Sequence, residues 1–295
     1  MLLAGAGWVL SFAPVGYYPL AIVLPAVLFY FWSKASSARA AWLGFVFGLG
    51  LFGAGASWVY VSIHEFGFRP APLAAVLVFL FVAYLALVPA IAGWLQAGLV
   101  QPGISRLLFA APVFWVLMEW LRGWLMTGFP WLNLGYSQSN SPLLNLAPLI
   151  GVYGLSLVVA ILAALLASMA LCRGIYRFLA ITLIGGVFII SWAAGGLQFV
   201  EPVGSKVNIA LLQGNVALSE KWKPGASHKI ISHYAALSRN VVDDNAIIVW
   251  PEGAVPDSWQ HVSDWFGLSL PVRKDGSMPD YLIGTIDSPS TGNYY

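Results

Sequence analysis

Long apolar runs separated by short polar breaks fill the first 200 positions of the chain. Several of these runs reach the roughly 20 residues that a helix needs to cross a bilayer, whereas the first run, with about 12 residues, is shorter. The pattern predicts a multi-pass α-helical membrane bundle over residues 1–200, with about seven membrane segments. They are Leu2–Ala13, Tyr17–Trp32, Ala40–Ile63, Leu73–Val100, Leu107–Leu125, Leu146–Leu171 and Phe178–Ala194.

A different pattern begins near Pro202, where the apolar runs become short. Val207–Gln213 and Ala246–Trp250 predict buried strands, and Tyr281–Ile286 predicts a third strand. His228–Val242 carries apolar residues at helical spacing. Because strands alternate with a helix, residues 201–295 are predicted to form a second domain, an α/β layer structure.

The composition agrees with this division. The chain has 295 residues, of which 59% are hydrophobic and 9% charged, whereas an ordinary soluble domain has about 25% charged residues. Nine of the charged residues fall within positions 1–200 and 17 within the last 95. This excludes a soluble fold for the first part. The net charge of +2, without a basic run, predicts no nucleic-acid partner.

Residue types that hold metals, cofactors or disulfides are sparse. The single cysteine, Cys172, excludes an internal disulfide and a CxxC site. The histidines at positions 228, 233 and 261 lack the spacing of metal ligands, and Asp243-Asp244 is typical of a polar turn. The glycine-rich segment Gly48–Gly55 lies within a predicted membrane helix and indicates close helix packing. We therefore expect neither a metal nor a cofactor.

The basic residues in the polar breaks predict the orientation in the membrane. Five of them lie in the even-numbered breaks, and only Arg69 and Arg122 lie on the alternate side. By the positive-inside rule, the N-terminus is cytoplasmic, and seven crossings place residues 201–295 in the periplasm. The five are Lys34, Arg39, Arg106, Arg173 and Arg177.

Two aromatic stretches at the predicted outer surface are denser than interfacial anchoring requires. One is Ser57–Ser62, which contains Trp58 and Tyr60. The other is Thr127–Gln138, in which glycines and a proline exclude a regular helix. Irregular backbone at membrane depth must be buried in protein or line a cavity. The second stretch therefore either shapes a lipid-accessible pocket or packs helices.

Glu119 and Arg122 are charges near the outer end of the fifth segment. Spaced three apart on a helix, their side chains share a face and can pair. Charges within a membrane segment suggest function, but an arginine near a helix end can also reach the headgroups. We favour a structural ion pair or a headgroup contact over a direct chemical role.

Glu252 is the best catalytic candidate by position. It follows the second predicted strand, between Pro251 and Gly253, where open α/β sheets place their sites. The alternative is a loop carboxylate that caps the next turn.

Five motifs together resemble the apolipoprotein N-acyltransferases of Gram-negative bacteria. They are WVYVSI at 58–63, LRGWLMTGFPWLNLGYSQ at 121–138, IALLQGN at 209–215, KW at 221–222 and IIVWPEGAVPD at 247–257. The resemblance implies a membrane bundle followed by the N-terminal portion of a nitrilase-like αββα sandwich in the bacterial inner membrane. It also implies transfer of an acyl chain from a phospholipid to the amino terminus of a diacylglyceryl-modified apolipoprotein.

The resemblance further implies a Glu, Lys and Cys triad that acts through a thioester. Glu252 matches its glutamate, but the lysine and cysteine are not assigned. Lys274 lacks the expected context, and Cys172 is predicted at the cytoplasmic end of a helix. The chain is therefore expected to be an incomplete form of the family's product and inactive by itself.

The binding candidates also follow from the resemblance. Trp222 matches a position in a loop that approaches the active site, although a tryptophan between two lysines is equally consistent with a surface cation–π contact. The aromatic residues Trp58, Tyr60, Phe129, Trp131 and Tyr136 are candidates for binding substrate at the membrane face.

Two other functions remain open from the residues. One is a membrane-anchored amidase of the nitrilase superfamily, which would not use phospholipid. The other is a transporter with an extracytoplasmic domain, although the sequence lacks the internal repeats typical of transporters.

Overall fold

The computed structural model describes residues 1–286, apart from the side chains at positions 259, 264–266 and 268. The chain separates into two compact units, Met1–Phe199 and a second unit that begins at Val200.

The first unit is a bundle of apolar helices. Within the described residues, four helical stretches are long and apolar enough to cross a membrane, namely Ser37–Gly55, Ala71–Leu99, Pro142–Leu171 and Ile175–Ala194. Leu2–Ser11 and Leu20–Trp32 are shorter apolar helices. The helical membrane bundle is thus confirmed with four candidate spans, while seven crossings and their orientation stay predictions. The helices are α1 Leu2–Trp8, α2 Leu20–Trp32, α3 Ser37–Gly55, α4 Ala71–Leu99, α5 Ala111–Arg122, α6 Ala147–Leu171 and α7 Ile175–Ala194.

Glycines let helix α3 pack closely on its neighbours, as the sequence predicted. A Cβ on Gly48 would lie 2.8 Å from the Cα of Ala86 in helix α4. A Cβ on Gly50 would overlap the carbonyl oxygen of Leu2 in helix α1. Small residues at such contacts are typical of helix packing in membranes.

Helix α3 ends at Gly55, so the prediction of one continuous segment to Ile63 is wrong. Ala56 leaves the helical conformation with φ −119° and ψ 12°. The carbonyl oxygen of Gly55 instead accepts a hydrogen bond from the indole of Trp131. A single helical turn, Val59–Val61, and a π-helical turn, Ser62–Phe66, follow.

Arg106 is buried in the bundle and joins the C-terminal ends of two helices. Its guanidinium donates hydrogen bonds to the carbonyl oxygens of Trp32 and Ala35 at the end of helix α2. It also donates to those of Ala97 and Val100 at the end of helix α4. The last carbonyls of a helix have no partner within the helix, so this arginine satisfies acceptors at both ends.

Three parallel strands form the main sheet of the second unit. They are β1 Ile209–Leu211, β2 Ile247–Val249 and β4 Asp280–Leu282, in the order β1-β2-β4. Ile248 lies opposite Ala210 on one side and Tyr281 on the other. Since all three strands are parallel, their C-terminal ends meet at one edge of the sheet.

Two predictions about these strands are wrong. Tyr281–Ile286 is not one strand, because it divides between β4 and β5 Thr285–Ile286, and β5 pairs with β3 Val255–Ser258 in a separate parallel sheet. Strand β1 is not buried, because Ile209 and Leu211 point to an exposed face.

Helix α8, Ala226–Arg239, packs against strand β2 of the main sheet. Its residues Ile231 and Tyr234 pack in one cluster with Ile248 and Trp250. A further helix, α9 Trp259–Ser269, follows strand β3. The assignment of this unit as part of a nitrilase-like domain remains a prediction.

Candidate active site

The buried residue Trp250 anchors the chain just before Glu252. Strand β2 ends at Val249, and the ring of Trp250 stacks on Tyr234 of helix α8 with a centroid distance of 5.1 Å. The indole nitrogen of Trp250 donates to the Ser238 hydroxyl at 3.0 Å. The chain two residues before Glu252 is therefore fixed to the core, while Glu252 itself is exposed.

A tight turn follows Glu252 and brings the chain back to the sheet. Gly253 has a φ of +61°, which favours glycine, and the amide of Ala254 donates to the carbonyl of Pro251 at 3.0 Å. Gly284, after strand β4, lies directly against this turn, since a Cβ on it would lie 2.7 Å from the Cα of Glu252. Only a residue without a side chain fits there.

A cavity of about 220 Å³ opens beside Glu252 at the C-terminal edge of the sheet. Lys221 lies in it, close enough that a Cβ on Gly253 would be 2.7 Å from the Lys221 ammonium. Lys221 is half-buried, and within the described residues it has no carboxylate within 4 Å. The lining residues are Gln213, Gly214, Asn215, Val216, Lys221, Ile230, Tyr234, Pro251, Glu252, Gly253 and Ala254.

The opposite wall of the cavity is the turn that follows strand β1. Asn215 has a φ of +49°, and a Cβ on Gly214 would lie 2.6 Å from the ring of Tyr234. Sequence analysis missed Lys221, Asn215 and Tyr234 as site residues. Lys221 and Asn215 could have been predicted from the QGN and KW motifs, which follow strand β1. Because the carboxyl ends of parallel strands meet at one edge of a sheet, residues after β1 are expected to lie near Glu252, which follows β2.

Asp257 connects the segment after Glu252 to the start of helix α8. Its carboxylate accepts hydrogen bonds from the hydroxyl of Ser227 at 2.9 Å and the amide of Ser258 at 2.8 Å. His261 lies 3.1 Å from the same carboxylate. The hydrogen bonds from Ser227 and His261 hold the pKa of Asp257 below its ordinary value.

In the membrane unit, Glu119 and Arg122 are both buried and hold the irregular segment Thr127–Gln138. Glu119 accepts from the amide of Leu134 at 2.9 Å. Arg122 donates to the carbonyl oxygens of Phe129 and Trp131 and to the side chain of Asn133.

Glu119 and Arg122 do not form the direct salt bridge that their spacing predicted, whereas a headgroup contact of Arg122 stays a prediction. No carboxylate oxygen lies within 4 Å of the guanidinium in the described part of the chain. Loop carbonyls take that place, since irregular backbone inside the bundle needs internal hydrogen-bond partners.

Three of the aromatic residues predicted to bind substrate, Phe129, Trp131 and Tyr136, lie in the segment Thr127–Gln138, and Trp58 packs against it. The rings of Trp58 and Trp131 meet edge to face at 5.8 Å, and each is about half exposed. Phe129 packs on Phe81 of helix α4 at 5.1 Å. Tyr136 is about half exposed. The structure thus brings Trp58 and Trp131 together, although they are 73 positions apart in the chain.

Tyr60 belongs to a separate apolar groove on the membrane unit. Its ring lies 5.4 Å from that of His64. It lines a groove of about 470 Å³ bordered by helices α1, α3 and α4, with Ser57, Val78 and Phe79 among the other lining residues.

Comparison with known proteins identifies the family. The protein-family model described as "Apolipoprotein N-acyltransferase N-terminal domain" matches residues 4–165. The chain belongs to the apolipoprotein N-acyltransferase family. This confirms the resemblance found in the sequence.

Curated relatives extend this similarity over the second unit. Proteins named apolipoprotein N-acyltransferase from Methylococcus capsulatus and Coxiella burnetii are each 42% identical, over 100% and 89% of the chain. That from Nitrosomonas europaea is 38% identical over 99% of the chain. The chain spans 59%, 54% and 58% of the lengths of these relatives, in that order.

The remaining residues that the resemblance to apolipoprotein N-acyltransferases singled out are not among those that line the Glu252 cavity. Trp222 is exposed, and its ring centre lies 5.6 Å from the ammonium of Lys221, so it flanks the cavity through that lysine. Lys274 pairs with Asp243 at 3.0 Å, which raises the pKa of the lysine. The pKa of Asp243 is lowered by the hydrogen bond from the Lys274 amide and by this pairing. Cys172 follows the last residue of helix α6 in the membrane unit.

Proposed function

We propose that the complete protein containing this chain transfers an acyl chain from a membrane phospholipid to the N-terminal amine of a diacylglyceryl-cysteine of apolipoproteins. The observation that carries the proposal is the position of Glu252 in a cavity at the C-terminal edge of a parallel sheet. The curated relatives with the corresponding name, at about 40% identity, support it.

In the proposed reaction, Glu252 is the general base of a Glu-Lys-Cys triad. A thiol is weakly ionised at neutral pH and needs a base to attack an ester. Glu252 takes the thiol proton, the sulfur bonds to the ester carbonyl carbon, and the proton passes to the oxygen of the departing lysophospholipid. The product of this first half-reaction is a thioester.

In the second half-reaction the lipoprotein amine attacks the thioester. Glu252 accepts the amine proton, the carbon–nitrogen bond forms, and the thiolate leaves and recovers the proton. The lysine of the triad stabilises the oxyanion in both steps. Neither Lys274 nor Cys172 has the context of the triad, so we expect the 295 residues alone not to transfer acyl chains.

The substrates fix the proposed location and partners. A phospholipid donor and a diacylglyceryl-modified acceptor are both embedded in the bilayer, so the reaction belongs at a membrane surface. We place the bundle in the bacterial inner membrane and the second unit in the periplasm. The aromatic residues Trp58, Tyr60, Phe129, Trp131 and Tyr136, together with Trp222, are proposed to contact these lipid substrates, because amphipathic rings favour the headgroup level.

A chimera tests this function. Residues 1–295 are fused to the part of the Methylococcus capsulatus relative that follows its aligned region, which covers 100% of the chain. The product is placed in phospholipid vesicles with a diacylglyceryl lipopeptide. Mass spectrometry is expected to detect triacylated lipopeptide from the chimera and none from the 295-residue chain.

Two results would redirect the assignment. Hydrolysis of small amides without use of phospholipid would favour the membrane-anchored amidase. Accumulation of a labelled solute in vesicles, with no acylated product, would favour the transporter.

A further inference from the structure

A second cavity adjoins the Glu252 cavity and shares part of its wall. It has a volume of about 430 Å³, and Gly214, Val216 and Ile230 line both cavities. Its other walls come from the single helical turn Leu218–Lys221, the segment after it and the first half of helix α8. The two spaces are therefore neighbouring parts of one cleft.

Basic side chains dominate this second cavity. Lys223 forms an exposed ion pair with Glu220. Lys229 is exposed, and in the described part of the chain no carboxylate lies within 4 Å of it. His233 adds a ring that lies 3.2 Å from the carbonyl of Gly214 on the shared wall.

Across both cavities, three ammonium groups face two carboxylates. The carboxylates are Glu220, which pairs with Lys223, and Glu252, which has no ion pair within 4 Å among the described residues. Among the described residues, Lys221 and Lys229 are thus the ammonium groups of this cleft without an ion pair within 4 Å. A half-buried ammonium such as Lys221 is poorly solvated, so an anion that reaches it gains more than it would at an open surface.

We propose that Lys221 and Lys229 bind the phosphate of a glycerophospholipid, with the phosphate in the cleft that joins the two cavities. The inference rests on the proposed acyl transfer and names the donor's binding site. In a glycerophospholipid the phosphate and the acyl ester are held only a few bonds apart by glycerol. A phosphate bound beside the shared wall therefore places the ester carbonyl within the cavity of Glu252.

Binding of short-chain ligands to the full 295-residue chain in detergent tests this inference. The probes are dihexanoyl phosphatidylglycerol, dihexanoylglycerol, which lacks the phosphate, and glycerol phosphate, which lacks the acyl chains. The variants are Lys221→Gln and Lys229→Gln, and circular dichroism establishes that each is folded. Arg239→Gln is the matched control, because this exposed arginine lies on helix α8 but lines neither cavity.

Each lysine variant is expected to bind dihexanoyl phosphatidylglycerol about tenfold more weakly by isothermal titration calorimetry. The Arg239→Gln variant is expected to bind dihexanoyl phosphatidylglycerol within about twofold of the unsubstituted chain. The lysine variants are expected to bind dihexanoylglycerol within about twofold of the unsubstituted chain. If the folded lysine variants bind dihexanoyl phosphatidylglycerol with unchanged affinity, the proposed phosphate site at Lys221 and Lys229 is wrong. Equal affinity for glycerol phosphate and the lipid overturns the assignment to a lipid, because the acyl chains then contribute nothing.

These outcomes are separate from those that test acyl transfer. If the chimera is active but the lysine variants keep full phospholipid affinity, acyl transfer is supported and the phosphate site at Lys221 and Lys229 is contradicted. If the chimera is inactive but phospholipid binding depends on the two lysines, the phosphate site is supported and acyl transfer is contradicted.

Discussion

The indole nitrogen of Trp131 donates a hydrogen bond to the carbonyl oxygen of Gly55 at 3.1 Å. This bond links the irregular segment after helix α5 to the last residue of helix α3, where that carbonyl has no partner within the helix. The rings of Trp131 and Trp58 also meet edge to face. The two aromatic stretches of the membrane unit are therefore one structural feature.

Replacing Trp131 with phenylalanine tests this link. Trp131→Phe keeps a ring next to Trp58 but removes the N–H donor, so we expect a loss of about 1 kcal/mol in unfolding free energy. Hydrogen exchange of the Gly55–Ser62 backbone should become faster. Trp192→Phe is the control, because Trp192 is largely exposed. Equal exchange in this segment for both variants would show that the hydrogen bond does not hold it.

Arg122 is predicted to be essential for the order of the segment Thr127–Gln138. A lysine at this position has no planar fork and cannot reach the three acceptors that Arg122 serves at once. We expect Arg122→Lys to lower the unfolding free energy by about 3 kcal/mol, measured by thermal unfolding in detergent. Arg173→Lys, at an exposed site, should have almost no effect. A similar loss in both variants would contradict the role of Arg122.

Gly284 is predicted to be important for activity because it packs directly against the turn that carries Glu252. The Cβ of Gly284→Ala would lie 2.8 Å from the amide nitrogen of Gly253 and 2.9 Å from the carbonyl oxygen of Pro251, so the turn that carries Glu252 must shift. We expect acyl transfer by the chimera to fall about 10- to 100-fold. Gly267→Ala, whose Cβ would have no described atom outside its own helix within 4 Å, should retain full activity. Full activity of Gly284→Ala would show that the turn need not be fixed.

The contribution of Asp257 to stability is predicted to depend on pH. Because its pKa is lowered in the folded chain, the stabilisation is fully present above the unfolded value of about 3.9 and is lost as the pH falls through the folded pKa. Asp257→Asn should therefore lower the urea midpoint at pH 7 and have little effect well below pH 3. Asp280→Asn, at an exposed residue, is the charge-matched control. An equal loss from Asp257→Asn at both pH values would contradict this account.

The membrane bundle could be predicted from the sequence because long apolar runs have few alternatives. The end of helix α3 could not be predicted, since residues 56–63 are as apolar as the helix before them. The carbonyl of its last residue, Gly55, is bound by Trp131, a partner from a distant part of the chain. The direct salt bridge expected between Glu119 and Arg122 is absent because Arg122 donates to loop carbonyls, which helix periodicity does not reveal. Glu119 accepts from the Leu134 amide of the loop and from the Trp115 indole of its own helix.

The candidate site was predictable in part. Proline before Glu252 and glycine after it marked the end of a strand, and the structure places this carboxylate in a cavity there. The KW motif after strand β1 was a signal for Lys221, whereas the contribution of Gly284 depends on the strand order β1-β2-β4. That order brings three separate turns to one edge, and no local pattern in the sequence specifies it.

Replacement of Glu252 in the chimera tests the central claim most directly. Glu252→Gln keeps the size of the side chain but removes the base, whereas Glu201→Gln removes a carboxylate from an exposed position outside the cavity. With phospholipid vesicles and a diacylglyceryl lipopeptide, triacylated product measured by mass spectrometry should fall at least about 100-fold for Glu252→Gln. It should be unchanged for Glu201→Gln. Equal product from the two variants would contradict the account.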